Sequence, residues 1–346
     1  MRGLIIIRSV AIAAKNRQCR GPGEPSVGLR KAAEVESASA CLAVSSQLAL
    51  ACIAGQATYI PYDSCVDIRG GVRPRKSLGQ HWLIDRAALK RIAKAAQITG
   101  EQTVMEIGAG TGLLTGLLAE QARRLIAVEV DGVLATRLGE RFATNDAVRV
   151  LERDVLGTTP EELLVAGDGG VPYVVVGNLP YFIGTAIIRR FLEAAVRPRS
   201  LVVTLQAEVA EGLAATPGRM SYLSVETQTL ASARILFYLP PRAFKPPPKV
   251  RSAVVRLDVL DTSEAEVDDR EAFLALARAG FAAPRKRVRN SLAIGLRIPS
   301  PEADEILSAA SVDPEQRPAN LTLADWREVY FAWKSREQGA RSQASR

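Results

Sequence analysis

Val104-Met105-Glu106-Ile107-Gly108-Ala109-Gly110-Thr111-Gly112-Leu113-Leu114 is the stretch from which the chain is best read. An apolar run ends in glycines at every second position, and a helix-forming stretch follows. Glycine lets the backbone approach a ligand closely, and a strand-to-helix turn aims free amides at it. Alone, the turn suits a NAD-binding loop or a merely tight connection. The NAD fingerprint wants glycine at 113, where Leu113 stands.

Outward from this turn the same alternation repeats. Strands are predicted over Val104 to Gly108, Leu125 to Val130, Val148 to Asp154, Tyr173 to Asn178 and Leu201 to Gln206. Helices are predicted over Leu113 to Ala122, Gly132 to Phe142 and Thr185 to Ala195. Strands alternating with helices indicate βαβ units and a parallel sheet. Val174-Val175-Val176 has no polar face, as expected where helices cover both sides. Arg234 to Leu239 and Ala253 to Val259 flank a proline cluster and read as a final antiparallel pair. Beyond an acidic linker, Thr262 to Asp269, come four helical stretches: Arg270 to Gly280, Val288 to Leu296, Glu302 to Ser311 and Thr322 to Lys334. The expected division is therefore residues 1–72, a poorly ordered extension; 73–262, an α/β domain; and 263–346, a small helical domain with a short tail.

Composition narrows the chemistry. The 346 residues are 47% hydrophobic and 24% charged, ordinary for a globular protein. No apolar run reaches the roughly 18 residues needed to span a bilayer. The 45 Lys and Arg against 37 Asp and Glu leave a net charge of +8, which permits a polyanionic partner. All four cysteines (Cys19, Cys41, Cys52, Cys65) precede the alternating region, and no CxxC pair suggests zinc. His81 is the only histidine, so a His-rich metal site is excluded and no metal is expected. Residues 1–72 lack a sustained period. They read as an extension, a targeting segment or an upstream start, and carry no chemistry in the simplest reading.

Three strand ends carry the chemistry. Glu129 ends the second strand, roughly twenty residues past Gly108, where an acid can accept from two ribose hydroxyls. Asp154 ends the third, where its carboxylate can accept from an adenine amine. Each alone is equally a solvated strand-end carboxylate. Together they outline the crevice at the carboxyl ends of an open sheet. Glu106-x-Gly108-x-Gly110-x-Gly112 is then the pattern of S-adenosylmethionine (SAM) methyltransferases. Asn178-Leu179-Pro180-Tyr181 ends the fourth strand. It sets an amide oxygen and a proline-constrained carbonyl beside a methyl donor, with Tyr181 as a ring for a flipped base. The bland alternative is an Asn-Pro turn with a core tyrosine.

At these residues the chain resembles the small-subunit rRNA adenine N6,N6-dimethyltransferases (KsgA type). The resemblance runs from about Arg75 to Trp333. It includes Lys76-Ser77-Leu78-Gly79-Gln80-His81-Trp82-Leu83-Ile84-Asp85, Glu106 to Gly112, Asn178 to Tyr181, Gln206 to Ala210, Phe244 to Ser252 and Arg285 to Leu292. Departures are Ala109 where proline is frequent, Trp82 where phenylalanine is usual, and Gly212 within a helix. The resemblance implies a class I SAM-dependent methyltransferase sheet, Rossmann-like, with a small C-terminal α-helical domain. It places SAM contacts on His81, Leu83, Gly108, Glu129, Asp154 and Asn178, and catalysis on Asn178, Leu179, Pro180 and Tyr181. It implies dimethylation of two adjacent adenines in the 3′-terminal hairpin loop of small-subunit rRNA, within 30S pre-particles, by a cytoplasmic monomer.

Phe244 is a weaker candidate for the second face of the base, since an aromatic before prolines is often packing. Between Arg278 and Arg297 there is no acid, and Arg285, Lys286, Arg287 and Arg289 form the expected RNA grip or, alternatively, a solvated helix face. Rival readings are a large-subunit rRNA relative conferring macrolide resistance, a non-catalytic assembly or transcription factor on the same fold, and a NAD dehydrogenase. Phe244 to Ser252 and Arg285 to Leu292 favour the small-subunit type. Intact site residues oppose a loss of catalysis, and Leu113 with the Asn-x-Pro-Tyr tetrad disfavours the dehydrogenase.

Overall fold

The computed structural model describes residues 74–75, 78–261 and 266–344. The extension with its cysteines lies outside those residues, as do Lys76, Ser77 and 262–265 of the acidic linker. The described residues belong to one compact unit.

Nine strands are present among them. β1 (Trp82–Leu83) pairs with β8 (Phe244–Lys245) in a two-stranded antiparallel ribbon. The other seven form one sheet. In chain order they are β2 (Thr103–Ile107), β3 (Arg124–Glu129), β4 (Val148–Glu152), β5 (Tyr173–Asn178), β6 (Ser200–Gln206), β7 (Ala231–Leu239) and β9 (Ser252–Val259). Their spatial order is β4-β3-β2-β5-β6-β9-β7. The first five are parallel, and β9 runs antiparallel between β6 and β7. The expected last pair therefore exists, with its later strand inserted inside the earlier one. Strand order reverses at β2, so the carboxyl ends of β2, β3 and β5 open a crevice together.

Burial explains the strand composition. Val174, Val175 and Val176 are all buried, because helices pack on both faces of the sheet. Helices α1 (Arg86–Ala95), α2 (Leu113–Ala119), α3 (Gly132–Arg141), α4 (Pro160–Ala166), α5 (Gly184–Leu192), α6 (Ala207–Leu213) and α7 (Tyr222–Gln228) accompany it. Their starts are chemically marked. Asp85 accepts from Ala88 N–H at 3.0 Å, Asp131 from Val133 N–H at 3.0 Å, and Thr159 with Glu162 forms a capping box. α2 begins instead after Gly112 in the left-handed region, φ 76°, where a Cβ would stand 2.6 Å from Leu138 Cδ2. That position admits only glycine.

The C-terminal helices α8 (Arg270–Gly280), α9 (Val288–Leu296), α10 (Ser300–Ala309) and α11 (Leu323–Ala344) enclose a second core around Phe273, Leu292, Trp326 and Tyr330. α8 and α9 touch backbone to backbone, since a Cβ at Gly295 would fall 2.1 Å from the Ala279 carbonyl oxygen. Ala215, Met220 and Val225, which precede residue 262, are buried in this same cluster. Gly218 and Met220 N–H groups both donate to the Ala319 carbonyl, at 2.7 and 3.1 Å. The end of the acidic linker is structural: Asp269 caps α8, and Asp268 accepts from Tyr330 Oη at 2.8 Å. Among the described residues no helix is long and apolar enough to cross a membrane, and no group of three His, Cys, Asp or Glu could hold a metal ion.

Candidate active site

A cleft of about 750 Å3, counting the solvent at its mouth, lies where the strand order reverses. His81, Gly108, Glu129, Asp154 and the Asn178 to Tyr181 tetrad all line it. Leu83 does not; it lines an adjoining recess together with Gly108 and Asn178.

The glycine turn is tied to Glu129. Gly108 N–H donates to the Val128 carbonyl at 2.9 Å, and Gly110 N–H donates to Glu129 Oε2 at 2.8 Å. Asp131 N–H donates to Glu129 Oε1 at 2.9 Å. Glu129 is 5% exposed. Burial raises its carboxyl above the ordinary range, while the Asp131 and Gly110 amides oppose the shift. Each oxygen keeps a lone pair, so the carboxylate can still accept from two further donors in the cleft. Asp154 is exposed at the cleft and accepts from Leu156 N–H at 2.9 Å.

The tetrad is held from a distance. Asn178 Nδ2 donates to the His81 carbonyl at 2.7 Å, across 97 positions of chain. A carbonyl can only accept, so this bond fixes which way the amide faces and leaves Oδ1 as an acceptor. Leu179 is buried, its N–H donating to the Thr204 carbonyl at 3.3 Å. Tyr181 Oη shares a 2.5 Å hydrogen bond with Ser252 Oγ, and burial raises the phenol above its usual value. His81 stacks on the Tyr181 ring at 5.7 Å between centroids and 20° between planes. Its Nδ1 lies 2.8 Å from the Pro246 carbonyl oxygen and is therefore the protonated nitrogen. The imidazole thus braces the tetrad.

Residues 71–332 match the family model described as ribosomal RNA adenine dimethylase. The chain belongs to that family. It is 40% identical over 258 residues to a ribosomal RNA small subunit methyltransferase A from Dehalococcoides mccartyi, spanning 75% of this chain and 88% of that protein. A relative of the same name from Desulfitobacterium hafniense is 38% identical over 264 residues, covering 76% and 93%. Among solved structures, the 23S rRNA methyltransferase ErmE is similar with a TM-score of 0.60 at 29% identity, covering 73% of this chain and 99% of that one. A dimethyladenosine transferase from Plasmodium falciparum has a TM-score of 0.63 at 21% identity, covering 74% and 98%, a likeness of fold. The chain is an rRNA adenine dimethyltransferase built on a Rossmann-like methyltransferase sheet with a helical C-terminal region.

Two expectations for this dimethyltransferase meet a different arrangement. Phe244 does not line the cleft. It is 3% exposed, paired with Leu83 across the β1–β8 ribbon. The exposed aromatic beside the tetrad is Phe182, 65% exposed, whose ring lies over Gly79. The basic run itself contains no acid, as expected, but two acids from later in the chain meet it in space. Glu315 pairs with both Arg287 and Arg289, the latter at 2.9 Å, and Asp304 stands 3.8 Å from Arg289. Arg285 and Lys286 are exposed, with no ion pair among the described residues.

Sequence reasoning passed over two buried polar groups. Glu106, in β2, is 2% exposed; burial and then the Glu129 charge push its carboxyl up to about 8. Its Oε2 has no partner among the described residues, and neither has the Trp82 indole nitrogen. Both residues sit inside quoted motifs, but their burial follows from packing that no local pattern reveals.

Proposed function

We propose that this chain transfers methyl groups from SAM to N6 of two adjacent adenines in the 3′-terminal hairpin loop of small-subunit rRNA. It does so on 30S pre-particles in the cytoplasm, as a monomer, and the reaction is coupled to late assembly. The observation that carries the reading is the Asn178 amide, turned by the His81 carbonyl so that Oδ1 is left to accept from an exocyclic amine. The residues fit the donor: a glycine turn leaves room for it, and Glu129 at the end of β3 and Asp154, two residues past the end of β4, offer acceptors.

SAM, when bound, supplies a methyl group already activated on a sulfonium. The chain's own residues position and enclose the base. Pro180's carbonyl already accepts from Ile183 N–H at 3.2 Å, and the Leu179 carbonyl, fixed by the proline that follows it, is the backbone acceptor assigned beside Asn178 Oδ1. In the first transfer two acceptors would hold the two N6 hydrogens, and in the second one of them would hold the hydrogen that remains, each time aiming the nitrogen lone pair at the methyl carbon. The Tyr181 face not covered by His81 takes the flipped ring. The proton on N6 leaves after methyl transfer, so a strong base is not required, in keeping with a chain whose only histidine is His81. Arg285 and Lys286, with Arg287 and Arg289 behind them, grip phosphates away from the cleft.

The small-subunit assignment rests on relatives of that name at about 40% identity. The likeness to ErmE keeps a large-subunit substrate as the second reading. Incubation with labelled SAM and unmodified 30S or 50S particles, followed by mapping of the product, decides it. Two dimethylated adenines near the 3′ end of the small-subunit rRNA are expected. Label confined to large-subunit RNA would establish the second reading, and no label would leave a non-catalytic binding factor.

A further inference from the structure

The recess beside the main cleft is lined by Trp82, Leu83, Glu106, the Gly108 to Gly110 turn and Asn178. Trp82, Gly108, Gly110 and Asn178 also line the cleft, so the two spaces share a wall. Trp82 is 8% exposed, and its indole lies against the glycine turn. A Cβ at Gly110 would stand 3.4 Å from Trp82 Cδ1 and 3.7 Å from Nε1. The indole N–H can only donate, and it is buried without an acceptor among the described residues. Glu106 brings the opposite deficiency to the same recess, a buried carboxyl oxygen without a donor. Native chains seldom leave buried polar atoms unpaired, because desolvation is then uncompensated.

An α-amino-acid group answers both, with a carboxylate that accepts and an ammonium that donates. SAM carries one such group at the end opposite its adenine. Gly108 and Gly110 line both the cleft that holds Glu129 and Asp154 and the recess, so a donor held through its ribose and adenine by those acids would have its other end beside the recess. We propose that Trp82 Nε1–H is a recognition donor for the carboxylate of the methyl donor. This rests on the reading of the cleft as a SAM site and adds a side-chain contact that the glycine turn, which offers only backbone, does not supply.

The full chain and Trp82→Phe would be titrated calorimetrically with SAM and with decarboxylated SAM, which keeps the sulfonium and amine and lacks the carboxylate. Phenylalanine preserves an apolar ring and removes only the N–H and the second ring. A charge-assisted hydrogen bond of this kind predicts about a tenfold or greater loss of SAM affinity in Trp82→Phe. Decarboxylated SAM should bind both proteins alike. A separate reading needs no variant: of the three tryptophan indole N–H resonances, one should shift on adding SAM and stay in place with decarboxylated SAM. Unchanged SAM affinity in Trp82→Phe would overturn the proposal. So would an equal loss for both donors, which would make Trp82 a packing residue. If the unmutated chain bound neither donor, the SAM reading of the cleft itself would fall, a result distinct from either.

Discussion

The crevice of the sheet and the surface of the helical C-terminal region treat their polar groups in opposite ways, although the buried core of the latter holds an unpartnered indole nitrogen of its own, that of Trp326, among the described residues. At the crevice, Trp82 Nε1 and Glu106 Oε2 are buried without a partner among the described residues, and Asn178 Oδ1 is left to accept. In the helical region the charges answer one another: Arg287 and Arg289 meet Glu315, Arg327 meets Glu266 at 3.1 Å, and Arg336 meets Glu302 at 3.2 Å. Arg285 and Lys286 stand apart from those pairs. Trp82 and Glu106 line an open recess that a ligand could enter, as Trp326 does not, whereas self-paired surface charges chiefly hold helices in register and contribute little each. A count of basic residues therefore overstates the RNA-facing charge here, and a count of acids understates the ligand site.

The largest test of that contrast uses Glu106. Its folded carboxyl titrates near 8 against an ordinary 4.5, so between those values the folded chain holds a proton that the unfolded chain releases. The stability this contributes is complete below about pH 4.5 and is lost as pH rises through about 8. Ligand-free chain should weaken by on the order of a few kcal/mol over that window. Glu106→Gln cannot ionise and should flatten the profile, leaving the smaller slope due to Glu129. Urea unfolding at pH 5, 6.5 and 8 measures it, and parallel profiles for both proteins would place Glu106 in an environment open to water.

Asn178→Ala comes next. Misplacing the accepting nitrogen should cost about a hundredfold in single-turnover methyl transfer, with 30S binding nearly unchanged. Near-normal turnover at saturating substrate would remove the tetrad from the chemistry. Glu129→Ala is smaller still. Loss of a charge-assisted acceptor predicts SAM binding weaker by about 1.5 kcal/mol or more, read by calorimetry. Equal affinities would take Glu129 out of the site.

The mildest effects fall in the helical region, and they sharpen the comparison within it. Arg285→Ala with Lys286→Ala should lower the salt dependence of rRNA binding by about two counterions. Arg287→Ala or Arg289→Ala should lower it less, because Glu315 already offsets those charges. Glu315→Gln should strengthen binding slightly. Equal losses from all four basic positions would mean that the pairs open on contact with RNA.

Much of the architecture was legible beforehand. The five parallel strands fall within a residue or two of their expected places, and α8 and α9 match Arg270 to Gly280 and Val288 to Leu296. Hydrophobic periodicity reports what each residue packs on within its own element, and these elements are long and regular. Several of the short ones escaped. β1 and β8 have two residues each, too few for a period, and α4 and α7 have seven. At the site, Gly108, Glu129, Asp154 and Asn178 were legible because strand ends and glycine turns are local events. Phe244 was misjudged as a ring available to the cleft because its neighbours in sequence are prolines and lysines, while its partner in space is Leu83.

By itself the sequence determined the inventory: alternating strands and helices, a glycine turn, two strand-end acids, the Asn-x-Pro-Tyr tetrad and a basic run. Those follow from bond geometry and from interactions among near neighbours, which are written residue by residue. Only the tertiary structure decided that β9 lies between β6 and β7, that His81 turns the Asn178 amide, that Glu315 claims two arginines, and that Trp82 and Glu106 are left unpaired among the described residues. Each depends on positions far apart along the chain. Which of many compatible partners a polar group meets depends on how the whole core closes, and no local pattern carries that choice.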